Sequence, residues 1–175
     1  MNFPTVTQVI NPWMDWSKIP PGTLQYAADR GTLIHDLCAR HARSEFVVTE
    51  DEYRPYLESF QQWFELMVKK VILVEERMYD TVWLYSGQID LLAVLNDGRV
   101  ALCDEKTPIT TQKSWRVQLA GYNNLCTVNG RPPDCNGSLQ LSPKGKMAKM
   151  TWYESTAADL NQFLQDLNSY RFYHS

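Results

Sequence analysis

The chain has 175 residues and a formal charge of −3, with 44% hydrophobic and 21% charged residues. This composition is typical of a globular domain, and it argues against a disordered, collagen-like or coiled-coil chain. The longest aliphatic run, Leu91–Leu95, is far shorter than the roughly 18 residues that suggest a membrane span. No secretory signal is recognisable at the N-terminus, so we expect a soluble, cytoplasmic protein of one domain.

The charges are unevenly distributed along the chain. Residues 96–150 carry 8 basic and 4 acidic groups, whereas residues 1–95 carry 8 and 13. The basic middle section is compatible with a polyanionic partner, although scattered lysines are more often plain solvated surface. The four cysteines form no CxxC pair, which excludes a zinc ribbon and a thioredoxin motif, and we interpret them as reduced and structural.

The first 22 residues contain four prolines together with Trp13 and Trp16. This segment is predicted to be an irregular arm that packs on the domain through burial of its aromatic side chains. Residues 24–42 have helical composition, and Gly31 is expected to mark a break or the start of a second helix.

The next segment, residues 55–70, places apolar side chains at helical spacing, and Pro55 suits the first turn of that helix. The pattern then changes to stretches rich in β-branched and aliphatic residues. These stretches are three predicted strands, at residues 71–79, 83–95 and 99–107.

A helix is predicted over residues 110–128, with Thr110, Thr111 and Ser114 as candidate caps. A loop at 129–137 and a short hairpin of residues 138–141 and 147–153 follow it. The last helix is predicted from residue 157, capped by Thr156. The order α–β–β–β–α–β–β–α predicts an α/β sandwich around a mixed sheet.

The strands around the second predicted hairpin carry the residues with the clearest chemistry. Residues 96–98 (Asn-Asp-Gly) fit a three-residue loop with glycine in the left-handed conformation. Counting back along both strands from this loop places Asp90 opposite Asp104, so that two carboxylates meet on one sheet face. Lys106 lies two residues beyond Asp104 and shares its face.

Two carboxylates this close repel each other in a low-dielectric setting unless one takes up a proton or a cation lies between them. A divalent cation with oxygen ligands resolves the conflict. Lys106 then supplies a fixed positive charge, which suits a hydrolytic centre for a phosphodiester. A structural Asp–Lys pair on a hairpin is the alternative interpretation of these residues.

Three further features bear on this choice. His35 lies on an apolar helical face, where it is either a core histidine or a metal ligand. Gln118 and Tyr122 are spaced i, i+4 and share one helix face, with polar tips that could contact a phosphate. Glu75 or Glu76, on the preceding strand, is either a further acid of the site or part of the surface.

The sequence resembles the PD-(D/E)XK nuclease superfamily, specifically its RecB-like exonuclease branch with phage- and prophage-type stand-alone nucleases. The resemblance runs from about Trp13 to Tyr122 and rests on five motifs in family order: RGTLIH, VEERMY, GQIDLLAVL, DEKT and QLAGY. It implies a restriction-endonuclease-like α/β sandwich, with a central mixed sheet flanked by helices, as a single nuclease domain over residues 1–175. The location it implies is the cytosol of a bacterium or of a phage-infected host.

The resemblance also implies roles for single residues. It makes Lys106 the catalytic lysine, places Gln118 and Tyr122 close to the active site and the DNA, and makes Glu75 an acid of the preceding strand. The ligands it implies for Mg²⁺ or Mn²⁺ are His35, Asp90 and Asp104.

Two positions depart from the family pattern. Glu105 occupies a position that is more often apolar or aromatic in this branch. By alternation its side chain should point away from Asp90, so its backbone carbonyl is the expected metal ligand. Only Cys126 and Cys135 occur late in the chain, and no iron–sulfur cluster is therefore predicted.

The expected function is that of a metal-dependent deoxyribonuclease, an exonuclease of recombination, repair or phage DNA metabolism. The expected partners are DNA and a recombination protein, with no membrane. Candidate contacts to the DNA backbone are Lys113, Arg116, Arg131, Lys144, Lys146 and Lys149, and Trp115 either stacks on a base or belongs to the core. Two alternatives stay open: a catalytically silent DNA-end-binding module with the same fold, and a partner-binding protein whose carboxylates hold a stabilising cation.

Overall fold

A computed structural model describes residues 3–14, 21–154 and 157–174 of the chain. Trp16 of the predicted arm and the predicted cap Thr156 lie outside the described residues. The helices are α1 (Val6–Ile10), α2 (Pro21–Ala42), α3 (Arg54–Met67), α4 (Ser114–Val128) and α5 (Ala157–His174), with one 3₁₀ turn over Asn11–Trp13. The strands are β1 (Val68–Asp80), β2 (Tyr85–Leu95), β3 (Val100–Lys106), β4 (Cys135–Gln140) and β5 (Lys149–Tyr153).

The five strands form one mixed sheet in the order β1-β2-β3-β4-β5. Neighbouring strands are antiparallel except β3 and β4, which are parallel and joined by α4 as the crossover helix. Helices cover both faces of this sheet, and the predicted α/β sandwich with a central mixed sheet is confirmed. No helix of the described residues is both long and apolar enough to span a lipid bilayer.

The register of β2 and β3 is the one predicted from their connecting loop. Gly98 has φ +92°, and the Leu95 N–H donates to the Arg99 carbonyl at 2.9 Å. The ladder runs from Val94–Val100 to Leu91–Cys103. It ends one residue before Asp90 and Asp104 would face each other, and this early end shapes the site described below.

The core lies in two layers, one on each face of the sheet. On one face, α1, α4 and α5 bury a cluster that includes Leu102, Leu119 and Phe163. On the other face, α2 and α3 bury a cluster that includes Cys38, Phe60 and other apolar side chains. Since successive strand residues point to opposite faces, β3 contributes to both layers.

The predicted break at Gly31 is wrong, because α2 continues without interruption from Pro21 to Ala42. A single glycine costs a helix only about 1 kcal/mol relative to alanine, which the other turns of a 22-residue helix can offset. The start of the fourth helix was also predicted too early. It begins at Ser114, and Lys113 precedes it without a side-chain cap.

The N-terminal arm is more regular than predicted. Thr5 and Gln8 form a capping box that begins α1, and Val9 and Ile10 are fully buried. Trp13 is 58% exposed, so aliphatic side chains of α1, and not this tryptophan, attach the arm. The capping box explains the local order, because it satisfies backbone N–H groups that a short helix otherwise leaves open.

Candidate active site

A cleft of about 740 Å³ opens where the N-terminal arm, α2 and α4 meet the interior of β1 and β2 and the end of β3. All seven predicted metal-binding and catalytic side chains line it, together with Glu105. They are His35, Glu75, Asp90, Asp104, Lys106, Gln118 and Tyr122. The sequence positions of these residues span 88 places, and the fold brings them to one site.

Three of these side chains form a compact group with ligand atoms that all lie within 4.8 Å of one another: His35, Glu75 and Asp90. His35 Nδ1 is 3.6 Å from an Asp90 oxygen and 4.0 Å from a Glu75 oxygen. Glu75, the least firmly assigned of the acids in the sequence, is therefore an integral member of the group. Asp104 is not part of it.

The backbone at Glu75 explains how this group forms. Glu75 has φ +50°, a conformation that is uncommon for residues other than glycine, and it interrupts the β1–β2 ladder between Val74 and Glu76. Such strain costs roughly 1–3 kcal/mol and is often found at functional sites. The interruption lies directly beside Asp90, whose Oδ2 accepts the backbone N–H of Glu105 at 2.8 Å.

A second set of polar side chains runs from β3 to the N-terminal arm. Lys106 Nζ lies 2.6 Å from Asp104 Oδ2 and donates to Gln118 Oε1 at 3.0 Å. Gln118 Nε2 donates to the Tyr122 hydroxyl at 3.3 Å, and that hydroxyl contacts Thr7 Oγ1 at 3.2 Å. We call these five residues the lysine relay, because each member fixes the position of the next.

Close packing under Tyr122 depends on Gly87 of β2. A Cβ at Gly87 would lie 2.8 Å from the Tyr122 ring and 2.8 Å from Leu125. Because real Cβ atoms do not approach so closely, only glycine leaves room for the ring in this position. The glycine of the sequence motif GQID therefore has a packing function at this site.

The expectation that the Glu105 side chain points away from Asp90 is wrong. Glu105 is 2% exposed and lies beside Cys38 of α2, and its charge acts on His35 and Asp90. The expectation assumed that side chains alternate regularly between the two faces of the sheet. Beside the distortion at Glu75, however, the Asp90 side chain points toward His35 of α2, the helix that Glu105 also faces. Burial, with Asp90 and Glu75 adding to it, raises the pKa of Glu105 to about 8. Its Oε2 is buried without a hydrogen-bond partner among the described residues.

The charges of the site are strongly coupled. Burial lowers the pKa of His35, but the adjacent Asp90 outweighs this and raises it to about 10. Burial opposes ionisation of Asp90, but His35 and Lys106 hold the pKa of its carboxyl below the usual value. Burial raises the pKa of Asp104 to about 6 despite the ion pair with Lys106. Without a cation, a proton on His35 balances the acidic group.

The donor set suits a divalent cation. Carboxylate oxygens are the ligands preferred by Mg²⁺ and Mn²⁺, and an imidazole nitrogen is compatible with Mn²⁺. Glu75 and Asp90 supply the oxygens and His35 supplies the nitrogen, within the spacing given above. The unpaired oxygen of Glu105 is a further buried acceptor next to this group.

The predicted DNA contacts lie away from the cleft. Arg116 forms an ion pair with Asp159 at 2.8 Å, and Arg131 pairs with Glu76. Lys113, Lys144, Lys146 and Lys149 are exposed and do not line the cleft. Trp115 is 2% exposed, so it belongs to the core and is not a free stacking surface.

The sequence interpretation missed several residues that line the cleft, among them Thr7, Arg43, Arg77 and Gln88. Gln88 bridges two others, because its amide accepts from Arg77 Nη2 at 3.4 Å and donates to Glu75. Its place inside the GQID motif was a usable signal. Thr7 lies 115 residues from its partner Tyr122, and no local pattern could have indicated that contact.

No family model and no curated protein matches the chain in sequence. Solved structures do match its fold. One is a candidate exonuclease from Eubacterium rectale, with a TM-score of 0.54 and 10% identity over 80% of this chain and 64% of the other. Another is LHK-Exo in complex with dAMP, with a TM-score of 0.50 and 11% identity over 98% of this chain and 87% of that one.

This chain thus spans somewhat less than two thirds of the length of the Eubacterium rectale protein. At 10% and 11% identity, the two similarities concern the fold alone. The chain has the fold of these nuclease-like proteins.

Proposed function

We propose that this chain is a divalent-metal-dependent nuclease that hydrolyses DNA phosphodiester bonds, and that it acts as an exonuclease of the RecB-like PD-(D/E)XK branch. One observation carries the proposal. The His35–Glu75–Asp90 group and the Asp104–Lys106 ion pair share a single cleft. Acidic ligands for a metal ion beside a fixed cation are an arrangement that suits phosphodiester hydrolysis.

The residues that would hold Mg²⁺ or Mn²⁺ are His35, Glu75 and Asp90, and we add Asp104 and the backbone carbonyl of Glu105 as further ligands. When bound, such a cation supplies positive charge that polarises a phosphate and makes a water molecule more acidic. The proton on His35 would leave at the same time, because an imidazole must be neutral to bind a metal.

Lys106 is the cation that the chain itself provides. Its Nζ has two partners, Asp104 and Gln118, which together aim it into the cleft. A lysine held in this way can bind a phosphate oxygen and stabilise the charge that develops on it. Since the lysine relay is in place before substrate arrives, little reorganisation is needed when the reaction occurs.

Two similarities support DNA as the substrate and attack at a chain end. Both structural neighbours carry names that describe exonucleases, and LHK-Exo was solved with the mononucleotide dAMP. We propose a role in recombination, repair or phage DNA metabolism, with a recombination protein as partner.

The test is digestion of end-labelled linear DNA beside a closed circle, with Mn²⁺ or Mg²⁺. The wild type is expected to degrade the linear substrate and spare the circle, whereas Asp104→Asn and Lys106→Met leave both intact. Asp97→Asn is the matched control, because Asp97 lies in the exposed β2–β3 loop outside the cleft. It should cut like the wild type.

Loss of the circle as well would make the protein an endonuclease. If the wild type binds DNA ends and cuts no substrate with either metal, the catalytically silent binding module replaces the nuclease. Activity that persists in Asp104→Asn would place the chemistry elsewhere and refute the site.

A further inference from the structure

Two arginines line the cleft on the side of the edge strand β1, and neither was expected from the sequence. They are Arg43, just after α2, and Arg77 on β1. Neither has a carboxylate oxygen within 4.0 Å among the described residues, whereas five of the nine arginines of the chain do. Two guanidinium groups without an ion-pair partner therefore lie in the cleft of a protein whose net charge is −3.

The contacts that these arginines do make are long. Arg43 Nη2 is 3.4 Å from the Val74 carbonyl, and Arg77 reaches Ser86 and Gln88 at 3.4 Å each. A guanidinium has five N–H donors, so most of the donors of both residues remain available. Both side chains are exposed, and they can turn toward an incoming ligand.

Their position relative to the acidic group is also informative. Arg77 is two residues beyond Glu75 on β1, and the charge of Arg43 acts on Glu75. Lys106 lies on β3, on the far side of the same cleft. Positive charge therefore flanks the acidic group from two sides.

We propose that Arg43 and Arg77 form a phosphate subsite, which binds the DNA backbone phosphate next to the one that is cleaved. The proposal rests on the proposed function. Guanidinium groups bind phosphate through paired hydrogen bonds, which fixes the direction of the strand as well as its position. The strand would then cross the cleft from Lys106, over the acidic group, to the edge of β1.

The subsite has one competing explanation. Arg77 contacts Gln88, and Gln88 contacts Glu75, so Arg77 could act only by holding a metal ligand in place. A positioning role of this kind would change metal affinity. A phosphate contact changes the dependence of DNA binding on salt, because each neutralised phosphate releases counterions.

The experiment measures binding of a fluorescent single-stranded oligonucleotide at salt concentrations from about 50 to about 200 mM. It is done in the Asp104→Asn background with Mg²⁺. Arg43→Gln and Arg77→Gln should each reduce the slope of log K against log salt by about 0.7, and the double variant by about 1.4. Arg54→Gln and Arg99→Gln are the controls, because both arginines are exposed, paired with aspartates and outside the cleft. Mn²⁺ titration of each variant should give the affinity of the parent protein.

An unchanged slope in the double variant, or an equal change in the controls, overturns the subsite and leaves two solvated arginines. Weaker Mn²⁺ binding by Arg77→Gln with an unchanged slope overturns it in favour of the positioning role. The two proposals can fail separately. If the wild type cuts no DNA while the arginine variants still show a smaller slope of log K against log salt, the nuclease is refuted and the subsite is retained. If the wild type binds no DNA, both proposals are refuted.

Discussion

Replacement of Lys106 by methionine isolates the buried ion pair that positions the lysine. The side chains of Lys106 and Asp104 are only 12% and 4% exposed, so Asp104 would keep its burial and lose its cation. Its carboxylate would then take up a proton when the protein folds. Breaking a buried pair in this way typically costs about 3–5 kcal/mol.

The pKa of Asp104 limits this cost and makes it depend on pH. Folding raises the pKa from 3.8 to about 6, so the native state binds more protons than the unfolded state and stability falls as pH rises through that interval. At pH 8 the wild-type carboxyl is ionised. In Lys106→Met the buried carboxyl must be protonated two pH units above its wild-type pKa, and this lowers the free energy of unfolding by about 3 kcal/mol, since each unit corresponds to about 1.4 kcal/mol. At pH 5 the carboxyl is already mostly protonated, so the added loss should be under about 1 kcal/mol.

Urea denaturation at both pH values, with EDTA present, measures the difference. The double variant Lys106→Met/Asp104→Asn removes both charges and should recover stability at pH 8 to within about 1 kcal/mol of the wild type. It should nevertheless remain inactive. Lys113→Met, at an exposed lysine, is the control and should change little. Equal losses at pH 5 and pH 8, or no recovery in the double variant, would refute the reasoning.

Three other predictions follow from single contacts. Gly87→Ala should lower the free energy of unfolding by about 1–3 kcal/mol through overpacking against Tyr122, measured by urea denaturation beside Gly22→Ala, whose added Cβ meets nothing within 4 Å. Thr7→Val should reduce kcat about fivefold, the equivalent of one hydrogen bond of about 1 kcal/mol, with a melting temperature lowered by no more than about 4 °C and with activity retained in Thr7→Ser. Burial lowers the pKa of His41, so the unfolded state takes up a proton at a higher pH than the native state, and stability should fall as pH falls below 6.5. His41→Gln lacks this group and should lose less stability than the wild type between about pH 7 and 5.5, measured by urea denaturation.

The parts of the fold governed by local sequence were predictable. β-Branched residues identified β1, β2 and β3, and the Asn-Asp-Gly loop set the register of two of them. The side-chain alternation that follows from such a register then placed Lys106 beside Asp104 correctly. These features depend on neighbours within about 15 residues, which is the range over which periodicity and turn chemistry operate.

Features that depend on distant contacts were not predictable. The left-handed backbone of Glu75 has no signal in the sequence, and it lies at the point where Glu75 and Asp90 form a group with His35. Arg116 looked available for DNA until Asp159, 43 residues later, proved to be its partner. Trp115 is an aromatic residue and so a candidate for stacking on a base, but tertiary packing buries its side chain.

The order of the strands in the sheet equals their order in the chain, and this has a consequence for how the site is assembled. Glu75, Asp90 and Lys106 lie on three consecutive antiparallel strands joined by short turns. Closing short loops costs little chain entropy, and structures built from local contacts form fast. We therefore expect the acidic strands to assemble early in folding, before α2 delivers His35, so that their mutual repulsion acts on the folding rate as well as on the finished protein.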